Sequence, residues 1–402
     1  MNFNSTNALL LFILSMISLT SYAMNMPGHG GKTVYCSSVE ITCASTVTTT
    51  FAPDGSLWRL WSVQDSLYFD KSDDKGERFG LAKRVNIAPE KISSRGENRP
   101  KIAIDKFNGI YLSWSHPLEK RFSATIRFTY SADGENFLPV KTVNNDGLNT
   151  GHSFNEMLID ELGLVSLIWL DRRQAIYAKS RGESYNGSAI YLAQGKVEGN
   201  GITFNNKKLV DTTCVCCRLD LTKNANNKLA LAWRHIFNDN IRDHALLTLN
   251  GKSSIHHRFS RDMWKIDGCP HQGPSLSIDK TNRYHLTWFN QGAQGKGIFY
   301  GYSDDLGTNM SAKKRLGDNS KQAAHPDIYA FNNRVDIVWL EFDGQTHQLW
   351  HKVSHNNGET FQKAKMLSNS STKTDRPFII AQGDERLVSW QIVSNEHRLI
   401  EL

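Results

Sequence analysis

"RPKIAIDKFNGIYLSW", running from Arg99 to Trp114, reads as a short apolar strand, a polar Asn-Gly turn and an alternating strand closed by tryptophan. The unit recurs along the chain. "FNEMLIDELGLVSLIW" ends at Trp169, "RLDLTKNANNKLALAW" at Trp233 and "QGPSLSIDKTNRYHLTW" at Trp288. "HPDIYAFNNRVDIVW" ends at Trp339 and "RPFIIAQGDERLVSW" at Trp390, while a first copy, "ASTVTTTFAPDGSLWRLW", ends at Trp61. The seven closing tryptophans lie 51 to 64 residues apart, which leaves room for about four strands per unit. Such a period predicts an all-β chain folded as one β-propeller of four-stranded antiparallel blades. We expect seven blades, with six as the alternative if the first or last copy is not a full sheet. The last copy stops at "HRLIEL" without a fourth strand. Residues near "KTVYCS" are expected to supply that strand and close the ring.

Four copies carry a second shared feature after their third strand. These are "SDDKGERF" at Ser72, "SADGENF" at Ser131, "SDDLGTNM" at Ser303 and "SHNNGETF" at Ser354. Asp or Asn bonds the turn backbone, Gly takes the positive φ, and the closing Phe or Met tucks under the sheet.

This turn is similar to the Asp-box, or bacterial neuraminidase repeat, and the chain resembles the sialidase-like propeller superfamily. Met310 stands in place of the box aromatic, Asn356 in place of its Asp, and the Ser131 box is one residue short. The resemblance is specific for fold. For activity it implies an arginine triad that grips a substrate carboxylate, a Tyr nucleophile paired with Glu, and an Asp acid/base. Arg99, directly before Pro100, is the nearest match to the family's Arg-Ile-Pro motif, and Arg376-Pro377 repeats it. Arg218, Arg234 and Arg242 are candidates to complete an anion clamp. Asp171 in "WLDRR" and Glu341 in "WLEFDG" are the candidate carboxylates, each equally readable as a solvated loop charge. No Tyr follows Tyr329, which itself reads as an inner-strand residue, so the nucleophile is missing. A sialidase-type glycoside hydrolase is therefore the second reading.

The N-terminus sets the compartment. Leu9 to Leu19 is an apolar run ahead of Ser21-Tyr22-Ala23, although no Lys or Arg precedes it. We read residues 1–23 as a signal peptide, 24–35 as a flexible mature N-terminus and 36–402 as the propeller. Export to the periplasm or outside the cell follows, with no transmembrane segment. The net charge of +7 comes without any basic cluster interleaved with aromatics, so nucleic acid is not an expected partner. Oligomeric state stays open.

Three of the six cysteines fall in "TTCVCCRLDL", Thr212 to Leu221. In a propeller the loops approaching the innermost strands share one rim, and the strand-two Trp serves as a ruler. Seventeen residues before Trp169, Trp233 and Trp288 stand His152, Cys216 and His271. Nineteen before the last two stand Cys214 and Cys269. Cys43 and His325 fall on the same rim a few residues out of register. Cys214, Cys216, Cys217, Cys269, His271 and His152 thus offer a soft sulfur and nitrogen set, suited to copper with zinc as the alternative. Met24, Met26 and His29 in the tail are a copper-type set as well. The structural alternative is disulfide bonding, Cys36 to Cys43 and Cys269 to a "CVCC" thiol. "RHIFNDNIRDHA", which holds Arg234, Arg242, Asp243 and His244, is expected to overhang the mouth as partners of such a site or as a surface salt-bridge patch. His256 and His257, adjacent on a strand, are expected to face opposite ways. Three roles remain in order: an exported metal-binding propeller, a sialidase-like hydrolase acting on a glycan or small anionic ligand, and a non-catalytic protein-binding scaffold.

Overall fold

Alternating apolar and polar residues become seven antiparallel sheets arranged in a ring in the computed structural model, which describes residues 38–249, 255–393 and 395–402. Blades one and two span Val47–Arg84 and Lys101–Thr142, blade three His152–Thr213, and blade four Asp220–Arg258. Blades five, six and seven span Ser275–Leu316, Gln322–Ser370 and Phe378–Glu401. Each blade's innermost strand touches that of the next, and the strand Phe378–Gln382 of blade seven touches Val47–Phe51 of blade one. Seven blades close the ring.

Blade seven has three strands among the described residues. The expected closing strand lies outside them, as do the leader, the Met24, Met26 and His29 tail, and Cys36 of the proposed Cys36–Cys43 bridge. At the seam, Thr49 Oγ1 and Ser389 Oγ lie 3.0 Å apart, and Gln391 Nε2 donates to the carbonyls of Ile41 and Ala44.

The ruler tryptophans are all buried; six pack between neighbouring blades, and Trp61 packs against its own blade and the segment that precedes it. Truncating one to alanine costs about 3–5 kcal/mol at such a site. Burial also obliges each indole N–H to find an acceptor. Trp169 donates to Asp171, Trp339 to Glu341, Trp114 to Glu90 and Trp288 to Asp262, at 2.7 to 2.9 Å. Trp233 uses His235, and Trp61 and Trp390 use the carbonyls of Val39 and Asp375. The second-strand ends are thereby fixed at the rim.

The four Asp-box turns take the expected form at the opposite end of the ring. Ser72, Ser131, Ser303 and Ser354 each accept from a turn glycine N–H, at 2.8 to 2.9 Å, and donate to the turn Asp or Asn. The short Ser131 turn keeps both bonds. Blade three adds a helix, Arg173–Ser180, between its second and third strands; Asp171 accepts from its first N–H. No described helix is long and apolar enough to cross a membrane.

Candidate functional site

Loops that approach the inner strands build the rim, and their backbones are locally strained. Phe154, Thr212, His271 and His325 all have φ between 51° and 57° near the start of blades three to six. Positive φ is uncommon without glycine, and for β-branched Thr212 it is an outlier. Such conformations persist where surrounding contacts fix them, commonly at sites that bind or react.

Beside Thr212 the "CVCC" loop turns its three thiols inward. Cys214, Cys216 and Cys217 are buried, with Sγ atoms of Cys214 and Cys216 3.7 Å apart and those of Cys214 and Cys217 3.5 Å apart. Cys216 also joins a second group with Cys269 and His271, which are exposed on the next rim loop; within each trio the ligand atoms lie within 4.8 Å of one another. The two groups share Cys216. The four described thiols other than Cys43 are free, so a bridge from Cys269 to the "CVCC" loop is not formed. The sulfur separations far exceed a disulfide bond of about 2.05 Å.

Arg242 ties the two loops together. Its Nη1 donates to Cys214 Sγ and to the Gly268 carbonyl, both at 3.4 Å. Cys214 accepts S–H donors from its two neighbours and feels the charge of Arg234, which holds its thiol well below the usual range. Cys216 and Cys217 are pushed up, Cys216 by the adjacent Cys214 and Cys217 by burial. Cys214 is the thiol of the three that its surroundings draw downward.

Asp243 and His244 are also buried, so the "RHIFNDNIRDHA" stretch is an internal support and not a surface patch. His256 packs against His235 and Trp233.

A carboxylate crosses the channel to meet this loop. Glu97, in the turn Arg95–Asn98 ahead of blade two, accepts from the backbone N–H groups of Arg218 and Gly273, each at 3.2 Å. Its Oε1 lies 3.3 Å from His325 Nδ1 and 3.6 Å from Arg218 Nη1. One turn therefore fastens blades four, five and six from the opposite side. Burial alone would raise this carboxyl; Arg218 and His325 bring it down to about 2.

The proposed arginine clamp is differently occupied. Arg99 pairs with Asp375 in buried, bidentate form at 2.7 and 2.9 Å, and also bonds the carbonyls of Gly96 and Val47. Arg218 binds Glu97 and the carbonyls of Pro274 and Pro326. Arg234 donates to the carbonyls of Gln272, Phe289 and Arg242. These guanidiniums stitch the rim together. Arg376 differs: its residue is partly exposed, and its buried Nε has no hydrogen-bond partner among the described residues. Burial and the neighbouring charges of Arg218 and Arg99 draw it down to about 10.

His152, expected near the thiols, sits instead in blade three between acids. Nδ1 lies 2.7 Å from the Ala124 carbonyl, and Nε2 lies 2.9 Å from Asp146 and 3.6 Å from Asp171. A carbonyl accepts only from a protonated nitrogen, and Asp146, held ionised at about 2, demands a proton on the other. These acceptors raise the His152 pKa, and its ring forms with Asp146 and Asp171 a third group of ligand atoms within 4.8 Å of one another, apart from the thiols. Asp171 and Glu341, read as possible solvated charges, are buried; the indoles two residues earlier fix them, and Arg173 closes on Asp171 at 2.8 Å.

Glu97 and the bond from Arg242 to sulfur escaped the sequence reading. The ruler contained one of them: Glu97 stands seventeen residues before Trp114, the register of His152, Cys216 and His271.

No family model and no curated protein matches the chain. Among solved structures, an ulvan lyase of polysaccharide lyase family PL25, bound to a GlcA(1-4)Rha3S unit, superposes with TM-score 0.57 at 12% identity, covering 90% of this chain and 95% of its own. The BP39L lectin from Burkholderia pseudomallei gives 0.57 at 9% identity, covering 89% and 99%. A Hadza microbial sialidase gives 0.50 at 11% identity, covering 85% and 74%. At such identities the likeness concerns fold alone: the chain shares the β-propeller architecture of these proteins, with seven blades of its own.

Proposed function

We propose that this propeller binds a soft metal ion, copper(I) in preference to zinc(II), through the cysteine cluster on its rim. The observation that carries the reading is the sulfur spacing. Ligands about 2.3 Å from one tetrahedral ion stand about 3.8 Å apart, and the separations from Cys214 are 3.7 and 3.5 Å. Thiolate and imidazole donors favour copper(I) and zinc over oxygen-seeking ions. The apolar leader, with Met24, Met26 and His29 behind it, supports a role in the periplasm or outside the cell, where copper handling needs such ligands. Metal analysis of full-length protein purified without oxygen, paired with thiol counting, tests the reading. Near-stoichiometric copper that disappears in Cys214→Ser is expected. Free thiols that take up neither copper(I) nor zinc(II) would refute it.

A second reading is a small anion or acidic glycan on the same face, favoured by the unpartnered Nε of Arg376. The ulvan lyase bound to GlcA(1-4)Rha3S has a comparable fold, which makes uronate and sulfate groups sensible first ligands. Binding of sulfated uronate oligosaccharides, lost in Arg376→Ala, would raise this reading above the first. Absence of both metal and glycan would leave a protein-binding scaffold.

A further inference from the structure

Five soft ligands are more than one copper(I) ion needs, and they are not equivalent. Cys214 and Cys217 lie buried on one side of Cys216, while Cys269 and His271 lie exposed on the other. Cys216 belongs to both trios. A thiolate sulfur carries enough lone pairs to bond two ions at once, whereas an imidazole nitrogen carries one. We propose that Cys269 and His271 form a second, outer metal site sharing the Cys216 thiolate with the inner one, so the rim holds two bridged copper(I) ions. The inference rests on the metal-binding reading above and goes beyond it in number of ions and in the division of ligands.

Geometry and charge both favour the arrangement. The outer ligands come from "CPH", where Pro270 stiffens the segment and His271 sits at a φ of 54°, a conformation held by the rim and not by its own preference. The backbone of its neighbour Gly273 is pinned by Glu97, so the loop is braced before any ion arrives. Arg242 bridges the two ligand loops by donating to Cys214 on one and Gly268 on the other. Four thiolates with two copper(I) ions leave two negative charges, and the two nearby guanidiniums, Arg242 and Arg234, offset them.

The test is a titration of reduced full-length protein with copper(I) under competition from bicinchoninate, read alongside X-ray absorption of the loaded protein. Two ions per chain with a copper–copper scattering contribution are expected for the natural sequence. The Cys269→Ser, His271→Ala double variant should hold one ion without that contribution, and Cys216→Ser should hold neither at comparable affinity. Circular dichroism and melting curves of each variant separate lost ligands from lost fold, and the natural sequence's stoichiometry needs no variant at all. One ion that is indifferent to Cys269 and His271 would overturn the second site and leave the inner one standing. One ion lost in both variants would overturn it as well, in favour of a single ion drawing on both loops. No copper bound by the natural sequence would overturn the metal reading itself.

Discussion

Glu97 meets Arg218 from the opposite side of the ring, 121 residues away in sequence; it accepts from the Arg218 backbone N–H and forms an ion pair with its guanidinium at 3.6 Å. Removing one member of a buried pair leaves the other uncompensated, at about 3–5 kcal/mol. Glu97→Ala should therefore lower the urea midpoint strongly. Because the native carboxyl lies near 2, its contribution is present above the unfolded value of about 4.5 and is lost as pH falls toward 2. The gap between the two proteins should close over that acidic window.

His152 gives the opposite pH signature. Burial opposes its charge, but Asp146, Asp171 and the Ala124 carbonyl outweigh that and raise its pKa. A raised histidine stabilises the fold below its unfolded pKa of about 6.5 and loses that contribution as pH rises through the native value. His152→Gln should lower the melting temperature most at mildly acidic pH and least at alkaline pH. A difference that widens with pH would contradict a raised His152 pKa.

Thiol access should follow the two trios. In the reduced metal-free protein, Cys269 is exposed whereas Cys214, Cys216 and Cys217 are buried. Of these four, a thiol reagent should label Cys269 in a fast phase, absent from Cys269→Ser, and reach the other three only on unfolding. Fast labelling of Cys214, Cys216 or Cys217 would mean that the inner pocket opens.

The Asp-box of blade six packs closely against blade five at Gly358. Gly358 has φ of 83°, and a Cβ there would fall 1.7 Å from the Tyr300 hydroxyl. Left-handed backbone costs about 1–2 kcal/mol without glycine, and the overlap adds to that. Gly358→Ala should destabilise the protein more than Gly163→Ala, whose added methyl meets nothing within 4 Å despite a φ of 75°.

Amino-terminal sequencing checks the compartment. Exported protein should begin at Met24, and a soluble cytosolic form that retains Met1 would count against export.

The fold was legible because tryptophan, the polar turn and the Asp-box recur with a period that only a ring of sheets accommodates. The grouping of Cys216, Cys269 and His271 was legible for the same reason, since equal distance from equivalent tryptophans places residues on one rim. His152 shows where the ruler slips. The pairing register shifts between Ile168 and Leu170, opposite Phe154 with its positive φ, so an equal count no longer gives an equal position. The roles of Asp171 and Glu341 depend on an indole N–H needing an acceptor, a demand visible only after burial is known. The helix Arg173–Ser180 is too short to leave a periodic signal of its own.

One address, seventeen residues before the ruler, holds Glu97, Cys216 and His271 in blades two, four and five. A clasp across the axis, a thiol pocket and an exposed imidazole thus occupy equivalent sockets on one rack. The sheets beneath them are locked by interlocking tryptophans and tolerate little change, whereas a socket can exchange its chemistry through a single substitution. A change at such an address alters what the rim can hold while the sheets beneath keep their architecture.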